Sequence, residues 1–324
     1  MAMNDSRKDT PLHWTALVFD MEVTSPSNRL YRNGRQQAEV TIKLRATDVD
    51  NRPVPLSETE RASVRLIDYN SGVEIAPVPA SGTVTTGWGT TAERNEFAFY
   101  PGDRAAAASQ TAASGYEFFV RYAQTVDASP KRFGCQVTRD GGVVFKSNDD
   151  AYKEFVELFP ERLPSADGTR SVTYPWDSRR IEGGSNEWDL TTVDYYYCGL
   201  SINGSRIALL TFDASPPSIF QWESSNPASD LFSFTGVGAP GSDAATYVVP
   251  SRFTSRTHRR ILEPRRGQGV VVLVRHEGIR QDSGNDTKPP PINVVARDEF
   301  GTDHLLRVSF KSSANRNELV LTER

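Results

Sequence analysis

The sequence predicts an all-β protein made of two β-sandwich domains, with long loops and at most one or two short helices. Three observations support this. The run Ala38-Glu39-Val40-Thr41-Ile42-Lys43-Leu44-Arg45-Ala46-Thr47-Asp48 alternates apolar and polar residues up to its closing aspartate, the period of a strand with one buried and one wet face. Turn-forming clusters return roughly every 8–15 residues with strand-like segments between them, which suits sandwiches better than alternating strands and helices. The pair Asn203-Gly204 stands between two apolar segments, the strongest short-range hairpin signal.

In chain order, residues 1–14 read as a tail or lead-in strand, and Thr15–Val23 as a first strand closed by Thr24-Ser25-Pro26-Ser27-Asn28. Asn33-Gly34 turns the chain into the alternating strand, and Asp50-Asn51-Arg52-Pro53 turns it out toward the apolar segment 62–69. Asn95–Tyr100 predicts a strand broken by Pro101-Gly102, and the Ala- and Ser-rich residues 103–114 predict a loop. Tyr116–Tyr122 reads as a central strand with Tyr116, Phe118, Val120 and Tyr122 on one face. The first domain is expected to span residues 1–130 and the second 131–324.

Short strands are expected around Cys135 and around Val143-Val144-Phe145. Asp150–Phe159 predicts a helix. Tyr152, Phe155, Val156 and Phe159 share one helical face, Asp149 or Asp150 can cap it, and Pro160 stops it. Residues 160–190 read as a long loop excursion. Strands resume over Thr192–Ile202 and Arg206–Phe212, then near 245–249, 269–276, 292–298, 305–311 and 318–322. Pro289-Pro290-Pro291 fits a loop or an edge, because proline cannot donate to a ladder.

Composition narrows the possibilities. A chain of 324 residues has room for two domains. No apolar run approaches the roughly 18 residues that a membrane-crossing helix needs, and the longest, Gly269–Val274, has the length of a buried strand. The polar N-terminus has no apolar stretch behind it, so no Sec signal is expected. The chain would then be cytoplasmic, virion-associated or exported by a route without a signal. A net charge of −4 predicts no general attraction to nucleic acid or to anionic membranes. Two cysteines, Cys135 and Cys198, are expected to be reduced core residues rather than a disulfide framework.

The stretch Asn33–Ile42, followed by Asp48-Val49-Asp50-Asn51-Arg52-Pro53-Val54, resembles the opening strand and turn of bacterial Ig-like domains found in invasin-type adhesins and phage structural proteins. Asn51-Arg52 stands where that pattern usually has glycine. The resemblance, over residues 33–54, implies an Ig-like first domain and a structural or binding role. Ile292-Asn293-Val294-Val295-Ala296-Arg297-Asp298 echoes Ile42–Asp48 in the pattern Ile-x-apolar-x-Ala-x-Asp. Two related domains would produce such an echo, and so would strand composition alone. Asp194-Tyr195-Tyr196-Tyr197-Cys198 resembles strand F of an immunoglobulin variable domain. No tryptophan lies between Cys135 and Trp176 to complete that core, so the segment reads as an aromatic core strand.

Chemical motifs are sparse. The four histidines, His13, His258, His276 and His304, have no short metal-ligand spacing, and neither cysteine lies in a CxxC. Gly199–Gly204 lacks the nucleophile-elbow form, and no phosphate-binding glycine loop is present. No metal or cofactor is expected. Asp48-Val49-Asp50-Asn51 offers oxygen ligands, too few for calcium alone, and reads as a turn held by Asx hydrogen bonds. Glu182, Glu187, Asp189 and Asp194 lie near Trp176 and Trp188. Carboxylates beside aromatic faces suit a glycan site, and paired carboxylates a glycoside hydrolase. Arg252, Arg256, Arg259, Arg260, Arg265 and Arg266 form the strongest charge bias in the chain. With almost no aromatic interleaving they predict contact with an acidic protein partner or a neighbouring subunit rather than nucleic acid.

These observations lead to the expectation of a non-enzymatic structural or surface-recognition protein of bacterial or phage origin. It would bind a protein partner or assemble with itself through sandwich loops. The alternatives are a carbohydrate-binding or glycan-active protein that uses the loop tryptophans, and a bacterial effector or toxin component.

Overall fold

The structure is a computed structural model that describes residues 14–102, 115–164, 171–181, 190–222, 232–247, 258–261, 263–276, 291–312 and 318–324. It is all-β across several sheets, and its chain divides into two compact units, Met1–Leu163 and Pro164–Arg324. The boundary therefore lies at 163/164 rather than at the expected 130. The reason is pairing: the strand around Cys135 joins three strands of the first unit instead of opening the second.

The first unit contains β1 (Ala16–Val23), β2 (Arg29–Tyr31), β3 (Ala38–Thr47), helix α1 (Glu58–Ala62), β4 (Arg65–Asp68), β5 (Ala76–Pro77), β6 (Trp88–Thr91), β7 (Glu117–Thr125), β8 (Lys131–Thr138), β9 (Val144–Lys146) and β10 (Val156–Glu161). One sheet runs β1-β3-β7-β6-β5, and the other runs β2-β10-β8-β4 with β9 on β8. The alternating run is β3, and Ala38, Val40, Ile42, Leu44 and Ala46 are each 3% exposed or less. They meet Leu66, Phe133, Cys135, Val137 and Leu158 of the opposite sheet in one core. Lys43 lies on the outer face, as the alternation requires, but its side chain is only 13% exposed because Asp20 and Glu22 hold it at 3.3 and 3.1 Å.

The expected helix over Asp150–Phe159 does not form. Asp149 O accepts from Tyr152 N and Lys153 N at 2.9 and 3.2 Å, and the left-handed Lys153 (φ 56°) ends that turn. The chain then extends as β10, antiparallel to β8 and parallel to β2. Val156 and Leu158 point inward on a period of two, so pairing with two strands outweighs the helical spacing. The helix that does form, α1, carries a capping box: Ser57 Oγ accepts from Glu60 N, and Glu60 Oε2 accepts from Ser57 N. Ser57-Glu58-Thr59-Glu60 is the sequence signature for it. Glu60 is buried because Oε1 also accepts from Trp14 Nε1 and Asp140 N at 2.9 and 3.0 Å.

Asn95–Tyr100 is not a strand either. The segment is irregular and held by side chains: Gln37 Oε1 accepts from Asn95 N at 2.9 Å, and Gln36 Nε2 donates to Ala98 O at 3.0 Å. The expected loop at 103–114 and the lead-in residues 1–13 lie outside the described residues.

The second unit contains β11 (Val172–Thr173), β12 (Trp176–Ile181), β13 (Leu190–Cys198), β14 (Leu200–Ile202), β15 (Ser205–Ile207), β16 (Leu209–Ser215), β17 (Phe220–Trp222), β18 (Phe232–Gly238), β19 (Ala244–Tyr247), β20 (His258–Arg260), β21 (Gly269–His276), β22 (Ile292–Asp298), β23 (Asp303–Phe310) and β24 (Leu319–Glu323). A seven-stranded sheet runs β12-β13-β21-β18-β19-β20, with β17 on β18. A four-stranded sheet runs β16-β22-β23-β24, and β11-β14-β15 form a third. Two strands, β11 and β12, occupy the stretch expected to be a loop excursion over 160–190.

The Asn203-Gly204 turn joins β14 to β15, with φ of 51° and 79°, the paired left-handed residues of a type I′ hairpin. The apolar runs flanking it do not each make one strand. At Gly199 and Ala208 the chain passes to another sheet, so β13 and β14 part company, as do β15 and β16. Val270–Val274 of β21 and all of β18 are buried, which marks the centre of the large sheet as covered on both faces. Val193, Tyr195, Tyr197, Phe232, Phe234 and Tyr247 share the core on one face. On the other, a Cβ added at Gly269 would lie 2.3 Å from the Phe212 ring of the four-stranded sheet.

Candidate binding surface

Arg265 and Asp177 meet at the β12 edge of the large sheet, whereas Arg259 and Arg260 lie on β20 at its other edge. Strand β12 pairs only with β13 in that sheet, and its Asp177, Arg179 and Arg180 are exposed. The loop from Glu263 to Gln268 joins β20 to β21 and brings Arg265 beside β12. The Arg265 guanidinium lies 3.8 Å from the Tyr197 ring centroid, and its Nη1 lies 3.6 Å from Asp177 Oδ2. Tyr197 is itself anchored, donating from its hydroxyl to Glu263 O at 2.7 Å. Burial pushes the Tyr197 phenol above its ordinary range, against the opposing charge of Arg265. Arg179 forms an ion pair with Glu263. Arg180 makes a two-pronged contact with Asp194 at 2.8 and 3.1 Å. The result is a rim of paired charges along β12 and the 263–268 loop, beside the buried residues of β13.

Arg266 is exposed in the same loop. Arg259 and Arg260 sit on β20, paired opposite Ala245 and Ala244; that part of the arginine segment is an edge strand, not the loop expected from the sequence. Arg252, Arg256 and Trp188, with Glu182, Glu187 and Asp189, lie outside the described residues. Trp176 stacks at 5.3 Å on Tyr196, and its Nε1 donates to Leu319 O at 3.3 Å. Its polar atom is thus engaged within the fold, and its ring is half-buried. Arg179, Arg180 and Asp194 were not singled out as a group by the sequence. Adjacent strands at spacing set by the β12–β13 register bring them together, and no linear signal encodes that register.

Groups with chemical potential elsewhere are sealed. Both cysteines are free and buried. Burial pushes the Cys198 thiol up to about 12 and the Cys135 thiol higher still, so neither is a nucleophile at neutral pH. His304 is buried, with Nε2 at 3.0 Å from Asp298 Oδ2 and Nδ1 at 3.1 Å from the Tyr174 hydroxyl. Burial raises the Tyr174 phenol well above its ordinary value. No group of three metal-ligating residues occurs among the described residues, and no helix among them is long and apolar enough to cross a membrane. Asp48 is committed to a turn, its Oδ1 accepting from Asp50 N and Arg52 N at 2.9 Å each. No family model matches the chain, and no curated protein is significantly similar to it.

Proposed function

We propose that this chain is a non-enzymatic structural or recognition protein, of the bacterial or phage kind suggested by its Ig-like strand and turn, that engages a protein partner or a second copy along β12 and the 263–268 loop. The observation carrying this reading is an exposed edge strand whose charges are ordered rather than dispersed: Asp177, Arg179, Glu263 and Arg265 lie in ion pairs beside Tyr197, and Arg180 pairs with Asp194 on the other face. Edge strands offer unpaired backbone groups to any neighbouring chain, and a charged rim restricts which chain is accepted. Arginine supplies planar, forked donors suited to carboxylates across an interface.

Light scattering after size exclusion, run over a range of concentration and salt, tests the self-assembly arm. A salt-sensitive oligomer that Arg265→Glu with Arg266→Glu dissociates, at an unchanged melting temperature, supports the reading. For a separate partner, the same double variant should lose capture of that partner. Binding to a glycan array that Trp176→Ala abolishes would favour the carbohydrate alternative instead.

A further inference from the structure

A second site lies in the first unit, independent of the surface above. Register places Arg121 of β7 opposite Val40, and Val40 is fully buried on the inner face of its sheet. Arg121 is therefore an inward-facing arginine, on the same face of β7 as Phe119, Ala123 and Glu117. Its guanidinium donates from Nη2 to Val64 O at 2.9 Å and from Nη1 to Val120 O at 2.8 Å. Arg65 Nη1 donates to the same Val64 oxygen at 2.9 Å. The two cations thus converge on one carbonyl and lie no further apart than twice that distance.

Their charge is poorly neutralised. Arg65 Nε meets Glu74 at 3.5 Å, between two half-exposed side chains. Arg121 makes no ion pair among the described residues, and burial together with Arg65 holds its pKa below the usual arginine value. Two guanidinium groups held side by side repel each other unless an anion bridges them. A cavity of about 250 Å³ opens at this point, its wall shared between the two arginines with Thr90 and Thr91 and the apolar residues Leu66, Pro77, Val78 and Ala92. A water molecule takes up roughly 30 Å³ of liquid, so a hydrated oxyanion fits. Register sets Thr90 opposite Ala123, on the same face of the sheet as Arg121.

We propose that this cavity binds an oxyanion of the phosphate class, with Arg121 and Arg65 as paired cationic ligands. Forked guanidinium donors match the tetrahedral oxygens of phosphate and give short, charge-assisted bonds. The anion arrives either free or as the monoester group of a larger molecule.

The test is calorimetric titration of the full chain with inorganic phosphate and, separately, with glycerol phosphate, at ionic strength fixed by chloride. Saturable binding of either is expected, and the tighter of the two identifies the source. Arg65→Gln should weaken it about tenfold or more, as expected for losing one charge-assisted contact, without changing the melting temperature in chloride. Arg121→Lys should retain the fold and weaken binding too, since a lysine keeps the charge but loses the fork. Phosphate should raise the melting temperature of the parent chain and not of Arg65→Gln. No saturable binding of either anion, or binding that both variants leave unchanged, overturns the proposal.

Discussion

Asp48 and Asp298 close the same turn at the ends of matching strands. Each Oδ1 accepts from the backbone N–H groups two and four residues on, at 2.9 Å: Asp50 and Arg52 in one unit, Phe300 and Thr302 in the other. Each aspartate N–H donates to the carbonyl four residues on at 3.0 Å, and the residue three on is left-handed, Asn51 at 62° and Gly301 at 84°. The strands before them share the pattern Ile-x-apolar-x-Ala-x-Asp, and Ile42, Leu44, Ala46, Ile292, Val294 and Ala296 are all buried. Agreement in turn geometry as well as in sequence gives the echo a structural meaning that strand composition does not supply.

The two aspartates differ in what surrounds them, and that difference is testable. Asp48 is half-buried, whereas Asp298 is fully buried and also meets His304. Asp48→Ala is expected to cost about 1 kcal/mol, the scale of a lost turn hydrogen bond. Asp298→Ala removes the buried carboxylate that Phe300 N, Thr302 N and His304 share and is expected to cost about 3–5 kcal/mol. Thermal melts of the two variants, monitored by circular dichroism, would refute this ranking if the shifts were equal.

Ile42 and Lys43 test the register of β3. Ile42→Asp places a carboxylate in the core with no partner and should destabilise the first unit by about 4 kcal/mol or more. Lys43 is not the free surface residue that alternation alone implies. Burial works against its charge, but Glu22 and Asp20 outweigh this and hold its ammonium pKa above the usual range. Lys43→Asp would place three carboxylates together, and an intermediate loss of about 1–3 kcal/mol is expected. Lys43→Met should be milder than Lys43→Asp. A Lys43→Asp protein as stable as the parent would show that the ion pairs contribute nothing.

The thiols predict a defined alkaline response. Both folded pKa values lie above the reference value of 9.0, with burial as the cause. A group raised on folding adds stability below its unfolded pKa and loses it as pH climbs toward the folded value. Between pH 9 and 10 each thiol should therefore remove up to about 1.4 kcal/mol per pH unit. The double variant Cys135→Ala with Cys198→Ala should show a shallower decline over that interval. At pH 8 neither thiol should react with a disulfide reagent until denaturant is added; fast labelling of the folded chain would contradict the burial.

Asp68 predicts an acid response of opposite sign. Burial alone would raise its pKa, but Lys131 at 2.5 Å and hydrogen bonds from Ser71 outweigh burial and lower it below the reference value of 3.8. A depressed carboxylate adds stability above its unfolded pKa and loses it as pH falls through the folded value. Asp68→Asn should therefore be less stable than the parent at pH 7, with the gap narrowing below pH 4. A gap independent of pH would mean that the Lys131 pair is not coupled to folding.

The local pattern of residues was enough to specify the all-β class, the buried face of β3, the Asn203-Gly204 hairpin and the Asx turn at Asp48. These depend on side-chain period and on left-handed backbone positions, which neighbouring residues determine. Tertiary structure decided the rest. Val156 and Leu158 became inward strand residues because β10 pairs with β8 and β2, although Tyr152, Phe155, Val156 and Phe159 have the spacing of a helical face. The chain on either side of Asn203-Gly204 split between sheets at Gly199 and Ala208, where one continuous apolar run serves two layers. Arg180 met Asp194 through the β12–β13 register, and Arg121 met Arg65 across two sheets at the Val64 carbonyl. Hydrophobic period sets which face of a strand is buried, but long-range pairing chooses its neighbour, and the candidate binding surfaces are made of neighbours.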